Sequence, residues 1–150
     1  MDPIEELRYR VLAIQRDGNR DLAAALRPLG VTPAQGEVLG VLAQADGPLT
    51  VRQLGQLLVC EPGSPSRLVS SLVSAGLVSR GTHPDDARAS TLTLTRAGER
   101  TAAKVRGVED RLHASLRERL GSQRTVDEAL RLTRRLTGDG ASAQALERRL

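Results

Sequence analysis

The chain has 150 residues, a length typical of one domain or of one domain with helical arms for oligomerisation. One cysteine and two histidines exclude an internal disulfide and leave little to hold a metal ion, so we expect neither metal nor cofactor. The net charge of +4 favours an anionic partner, while the absence of Trp and Phe disfavours stacking on single-stranded nucleic acid. Without a long apolar run or a signal peptide, we expect a cytoplasmic protein with no membrane partner.

The first 29 residues predict one long helix with a narrow apolar seam. Asp2 and Pro3 suit its start, and Pro28 suits its end. Apolar residues recur at steps of three and four, a spacing typical of helices shared between two copies of a chain. They are Ile4, Leu7, Val11 and Ile14. An ordinary core helix is the alternative.

The next segment predicts a helix-turn-helix. Two capping boxes begin helices, one at Thr32–Gln35 and one at Thr50–Gln53. The turn Asp46–Pro48 separates them, and the stretch 60–63 breaks the chain before a further helix. Two short helices of about eight and twelve residues joined by such a break are typical of this motif, in which the second helix reads DNA.

That second helix, from Ser64 to the glycine at 76, has two different faces. Ser64 can cap it, Pro65 suits its first position, and Gly76 suits a left-handed end. One face is apolar, whereas the other carries an arginine and small hydroxyls. We predict that this helix lies in the major groove, with Arg67 donating to guanine and Ser70, Ser71 and Ser74 contacting phosphates or thymine methyls.

Two strands around a polar loop follow and predict a β-hairpin wing. Leu92 and Leu94 alternate with threonines as on a half-buried strand. Arg80, His83 and Arg88 are placed to reach phosphates or the minor groove. Alternatively, Arg88 pairs with Asp85 or Asp86. This acidic pair has no partner base and is interpreted as a turn rather than a catalytic site.

The C-terminal third predicts two more helices. Thr95 can cap a helix of about 25 residues, longer than a small wing needs for its core. Its apolar stripe is Val105, Val108, Leu112, Leu116 and Leu120. A second striped helix runs from Val126 to Leu136. Residues 137–150 either form a short helix or fray.

Six segments together resemble the MarR family of bacterial transcription regulators, over residues from about 5 to 136. They are V-T-P-A-Q-G-E-V-L at 31–39, P-L-T-V-R-Q-L-G at 48–55, S-P-S-R-L-V at 64–69, S-A-G-L-V-S-R at 74–80, H-P-D-D-A-R-A at 83–89 and L-T-L-T-R-A-G at 92–98. The resemblance implies a mainly α fold with a small β-wing. It places a winged helix-turn-helix lobe at 30–95 and a helical dimerisation region at 2–29 and 96–150.

The resemblance also implies a homodimeric repressor that binds a pseudo-palindromic DNA operator and is released by a small-molecule or redox signal. Ser66 and Arg67 match the Ser/Thr-Arg pair that opens the family's recognition helix. Asp86 and Arg88 match its wing Asp-x-Arg motif, in which the aspartate structures the wing and the arginine enters the minor groove. Ser64 is assigned to the same DNA-contacting set.

Three residues depart from the family pattern or leave a choice open. Pro65 replaces the usual branched aliphatic residue, and Gly55 replaces the usual alanine. Cys60 is interpreted as a quiet buried thiol in preference to a redox sensor. With no phosphate loop, metal cluster or nucleophile–base pair, the chain is not expected to be an enzyme. The alternative function is a winged-helix protein-interaction module that does not bind DNA specifically.

Overall fold

A computed structural model describes residues 1–60, 64–82 and 90–150 and shows a mostly helical chain with a small antiparallel sheet. The helices are α1 (Pro3–Leu26), α2 (Pro33–Gln44), α3 (Val51–Gly55), α4 (Pro65–Ser74), α5 (Arg96–Leu120), α6 (Gln123–Leu136) and α7 (Ala141–Glu147). The strands are β1 (Leu49–Thr50), β2 (Val78–Thr82) and β3 (Ser90–Leu94). The predicted fold class is confirmed.

Helix α1 is a single helix of 24 residues that begins and ends near the predicted positions. The carboxylate of Asp2 accepts from the N–H of Ile4 at 2.7 Å and caps its first turn. Leu26 is the only buried residue of this helix, and the partly buried Leu22 and Ala25 pack against the core. Most of its apolar seam is therefore left exposed.

Both predicted capping boxes are present. Thr32 and Gln35 exchange side-chain to backbone hydrogen bonds at the start of α2, and Thr50 and Gln53 do the same at α3. Helix α3 has only five residues, fewer than the sequence predicted. Directly before α3, the two residues of β1 form a third strand that the sequence did not predict.

Helix α4 confirms two of the three predicted features of its ends. Pro65 is at its first position, and Gly76 has φ of 69°. The N–H of Leu77 donates to the carbonyl of Leu72 at 2.9 Å, which completes a Schellman end. The predicted side-chain cap by Ser64 is wrong. Ser64 has ψ of 62° instead of the extended backbone of a capping residue, and its hydroxyl makes no capping bond.

The sheet joins the wing to the helices. Its strand order is β1-β3-β2, and all pairs are antiparallel. In the hairpin, Arg80 faces Leu92 and Val78 faces Leu94. The core lies between this sheet and α2–α5, and burial of each large aliphatic side chain contributes about 1.5–3 kcal/mol. Its fully buried leucines are Leu26, Leu39, Leu54, Leu58, Leu72 and Leu92.

The C-terminal helices differ in how they pack. Thr95 caps α5 by accepting from the N–H of Gly98 at 3.0 Å, as predicted. Helix α6 has no buried residue. Residues 141–147 do form a helix, α7, and its Ala145 is buried with 2% exposure. Within the described ranges, no helix is long and apolar enough to cross a membrane.

Candidate nucleic-acid interface

The face of α4 that is exposed to solvent carries serine hydroxyls and one arginine. Ser66, Arg67, Ser70 and Ser74 are exposed, whereas Val69 and Leu72 on the opposite side are fully buried. The helix contains no acidic residue. The buried face fixes the orientation of the helix, so the predicted reading side chains all point away from the core.

Ser71 has a different environment from the other serines. Its hydroxyl donates to the carbonyl of Leu68 at 2.7 Å and accepts from the amide Nε2 of Gln35 at 2.9 Å. Gln35 is also the third residue of the α2 capping box. Ser71 therefore ties α4 to α2, a role that the sequence did not indicate. A DNA contact by Ser71 stays a prediction.

Strand β2 brings a second basic side chain beside α4. Arg80 is exposed, and its Nη2 donates to the hydroxyl of Ser70 at 3.3 Å. Ser70 was predicted to contact DNA from the recognition helix and Arg80 from the wing. The structure brings these two side chains into contact. His83, Asp85, Asp86 and Arg88, the remaining wing residues of the prediction, lie outside the described residues.

This arrangement has the chemistry of a surface that binds duplex DNA. An arginine on a helix can donate two parallel hydrogen bonds to O6 and N7 of guanine in the major groove. A second arginine beside the helix can reach a phosphate, which positions the protein without reading sequence. Arg67 suits the first role because it is on the exposed face of α4, and Arg80 suits the second because it is on the adjoining strand.

Residues 29–89 match the family model described as MarR family. The structure of a MarR mutant from E. coli in complex with operator DNA has 26% sequence identity, covers 92% of this chain and 100% of that chain, and gives a TM-score of 0.78. The predicted resemblance to the MarR family is confirmed. Members of this family are DNA-binding transcription regulators and not enzymes, so the predicted class of function is confirmed.

Two further MarR-family structures place the fold in context. The S. aureus MepR–DNA complex has 24% identity, covers 86% of this chain and 95% of that chain, and gives a TM-score of 0.77, a likeness of fold alone. The apo form of wild-type MarR from E. coli has 25% identity, covers 92% of this chain and 99% of that chain, and gives only 0.68. The chain is thus more similar to MarR with operator DNA than to apo MarR. No curated protein sequence matches it significantly.

Glu37 holds the backbone of the segment that leads towards α4. Its Oε1 accepts from the N–H of Val59 at 2.8 Å, and its Oε2 accepts from the N–H of Cys60 at 2.9 Å. Arg149, near the C-terminus, donates to the same Oε1 at 2.8 Å. The sequence analysis missed this residue. The available signal was an acidic residue between Gly36 and Val38 on the buried side of α2.

Cys60 is exposed, and the prediction of a buried thiol is wrong. Although the residue as a whole is exposed, neighbouring protein atoms partly desolvate its thiol. This desolvation, followed by the charge of Glu37 and a hydrogen bond to it, raises the pKa of Cys60 to about 11. The buried residue of this segment is Leu58, two positions earlier, whereas the backbone N–H of Cys60 is held by Glu37. The thiol is nevertheless poorly ionised near neutral pH, which agrees with a quiet cysteine.

A groove of about 600 Å³ lies between the end of α2, strand β3 and α5. Its apolar wall includes Leu42, Leu92 and Ala102, and Glu109 is part of its polar wall. Burial raises the pKa of the Glu109 carboxyl, against the opposing charges of His113 and two arginines. Within the described ranges, no group of His, Cys, Asp and Glu residues could hold a metal ion.

Proposed function

We propose that the chain is a homodimeric repressor that binds a pseudo-palindromic operator and is released from it by a small molecule. The observation that carries the proposal is the exposed face of α4, where Arg67 lies one turn before Ser70 and Arg80 donates to the hydroxyl of Ser70. The proposed DNA contacts are Ser64, Ser66, Arg67, Ser70, Ser71, Ser74, Arg80 and Arg88, and Asp86 is proposed to structure the wing. Binding to DNA would require the protein to act in the bacterial cytoplasm, and we propose that location.

The distribution of exposed apolar side chains supports a homodimer. Among the described residues, every strongly exposed large hydrophobic side chain lies before residue 15 or after residue 115. Ile4 and Ile14 on α1 are each 73% exposed, and Leu116 and Leu136 on α5 and α6 are each 54% exposed. A second copy would cover this surface. It would also place the two recognition helices about 34 Å apart, which matches one turn of DNA.

In the proposed division, residues 30–95 form the lobe and residues 2–29 and 96–150 form the dimerisation region, but one helix of that region contacts the lobe. Helices α1, α5 and α6 carry the exposed apolar surface that suits a dimer interface. Helix α7, although it lies in the proposed dimerisation region, contacts the lobe, because the hydroxyl of Ser142 donates to the carbonyl of Val59. We therefore propose that the dimer interface comes from α1, α5 and α6.

We propose that the releasing small molecule binds in the groove between α2, β3 and α5. This groove touches the wing through Leu92 and Leu94 and touches the long helix through Ala102 and Val105. A molecule held there would change the angle between the wing and α5, and with it the spacing of two recognition helices. The chain has no Phe or Trp to stack on an aromatic ligand, so an aliphatic or polar molecule suits the groove better.

The decisive experiment is selection of bound duplexes from genomic fragments, followed by titration of the selected site with variants. We expect a pseudo-palindrome whose half-sites lie one helical turn apart. Arg67→Ala should lose about 1–3 kcal/mol of discrimination between the selected site and random DNA. Arg27→Ala, which removes the same charge from an exposed position between α1 and α2, is the matched control and should leave discrimination unchanged.

The alternative, a protein-interaction module, predicts a different result. Such a module would show no salt-dependent affinity for DNA and no effect of Arg67→Ala on it. Uniform, purely electrostatic retention of all duplexes would also contradict a specific repressor. If Arg67→Ala kept full discrimination between operator and random DNA, the assignment of Arg67 as a reading residue would be wrong.

A further inference from the structure

Helix α7 and the residues after it contact the connection between α3 and α4. The hydroxyl of Ser142 donates to the carbonyl of Val59 at 3.1 Å. Nη1 of Arg148 donates to the carbonyl of Gln56 at 3.2 Å. Ala145 is buried between these two polar contacts. The C-terminal segment thus binds the backbone of residues 56–60 at two points.

Arg149 adds a third contact through Glu37. The side chain of Glu37 is 9% exposed and that of Arg149 is 34% exposed, so their ion pair is shielded from solvent on the glutamate side. The other four ion pairs within the described ranges each join residues three or four positions apart on one helix. Exposed pairs of that kind contribute little. Arg149–Glu37 instead joins α2 to the C-terminal end.

These contacts converge on the segment that leads into the recognition helix. The N–H groups of Val59 and Cys60 both donate to Glu37, and the carbonyls of Gln56 and Val59 both accept from the C-terminal segment. Ser64, which precedes the first residue of α4, follows Cys60 by four positions. The segment 56–60 that these contacts hold therefore ends only four positions before Ser64.

We propose that the C-terminal helix is a positioning element for DNA reading: Arg149, acting through Glu37, holds the segment 56–60 so that α4 begins in its DNA-binding position. This inference rests on the proposed function, because it concerns how the same reading helix is placed. The similarity to MarR in complex with operator DNA, at a TM-score of 0.78 against 0.68 for apo MarR, agrees with a DNA-binding arrangement. Arg149 is a positioning residue and needs no contact with DNA.

The test compares operator binding by the full-length protein and its Arg149→Ala variant. We expect the variant to bind the selected operator roughly tenfold more weakly, within the usual range of coupling between separate sites. The slope of affinity against salt should not change, because no phosphate contact is lost. Arg149→Lys should keep most of the affinity. Glu147→Gln, an exposed substitution on α7 itself, should bind like the wild type.

A second measurement reports on the segment directly. Amide hydrogen exchange at Val59 and Cys60 should become faster in Arg149→Ala while the amides of the α2 core keep their protection, which shows that the variant is folded. Operator affinity equal to or tighter than that of the wild type in Arg149→Ala would overturn the inference. If the wild type discriminates operator from random DNA and Arg67→Ala does not, the proposed function stands whatever Arg149→Ala shows. If the wild type itself does not discriminate operator from random DNA, the proposed function is wrong, and the inference about Arg149 is overturned with it.

Discussion

Gly98 in the first turn of α5 lies so close to Leu77 that a Cβ at residue 98 would come within 1.9 Å of the Leu77 carbonyl oxygen. That oxygen also accepts from the N–H of Thr95 at 3.0 Å, so it cannot move away without the loss of a hydrogen bond. We predict that Gly98→Ala lowers the free energy of unfolding by about 1–3 kcal/mol, the usual cost of overpacking. Urea denaturation measures this change.

Gly107 is the matched control on the same helix. The nearest atom to a Cβ built there is Nη1 of Arg111, the end of a flexible side chain, at 3.9 Å. Gly107→Ala should therefore be neutral or raise the free energy of unfolding by up to about 1 kcal/mol, since alanine is the better helix former. Equal stability of the two variants would show that α5 does not sit against Leu77 as described.

The contact between Gln35 and Ser71 predicts a coupling that can be measured. Gln35→Ala removes both the return bond of the α2 capping box and the bond to Ser71. We expect a double-mutant cycle of Gln35→Ala with Ser71→Ala to give a coupling of about 0.5–1.5 kcal/mol, the net worth of one hydrogen bond. Gln53 occupies the same place in the α3 capping box. Its cycle with Ser71→Ala should give none.

The reactivity of Cys60 should report on Glu37. The wild-type pKa of about 11 predicts slow alkylation at pH 8, with a rate that rises as the thiol ionises at much higher pH. Glu37→Gln removes the negative charge that disfavours the thiolate, so the midpoint of the rate profile should move to lower pH. Glu109→Gln is the control. Glu109 is the smallest contributor to the raised pKa, so its removal should move the midpoint less.

The same pKa has a consequence for stability. Because the pKa of Cys60 in the folded state is above the unfolded value of 9.0, the folded state holds the proton more tightly. The stability that this contributes is fully present below pH 9.0 and is lost as pH rises through about 11. A Cys60→Ser protein should lose less stability than the wild type over this interval, as measured by denaturation at fixed pH values. An identical pH dependence in both proteins would contradict the raised pKa.

Local chemistry made much of the fold predictable. Capping boxes at Thr32 and Thr50 and the glycine at 76 act over three or four residues, so the sequence indicates them directly. The spacing of Val69 and Leu72 likewise predicts which face of α4 is buried. The features that were missed depend on residues distant in the sequence.

Strand β1 is the first of these features. It exists because Leu49 and Thr50 pair with β3 more than 40 positions later, and two residues carry no strand pattern of their own. The contact of Glu37 with Arg149 spans 112 positions. For the same reason, the sequence predicted the exposed face of α4 that reads DNA. It did not predict that Glu37 and Arg149 hold the segment before this helix.

The exposed seam of α1 gives the most direct test of the dimer. Ile14 is 73% exposed and, with Leu116, lines an apolar groove of about 590 Å³ between α1 and α5 that a second copy would fill. Because its side chain makes little contact within one chain, Ile14→Glu should change the stability of a monomer by no more than about 0.5 kcal/mol. A charge buried in a dimer interface is costly, so sedimentation velocity should show monomers. Operator affinity should fall when the dimer is lost, because two linked recognition helices bind more tightly than one.

Gln15→Glu adds the same charge at the next residue of α1, which is also exposed but lies about 100° around the helix. It should remain a dimer and keep its operator affinity. If Ile14→Glu also remained a dimer, α1 would not lie in the interface, and the apolar surface of α6 would have to supply the contact instead. If Ile14→Glu became monomeric and still bound the full operator as tightly as the wild type, the link between dimer geometry and reading would be wrong.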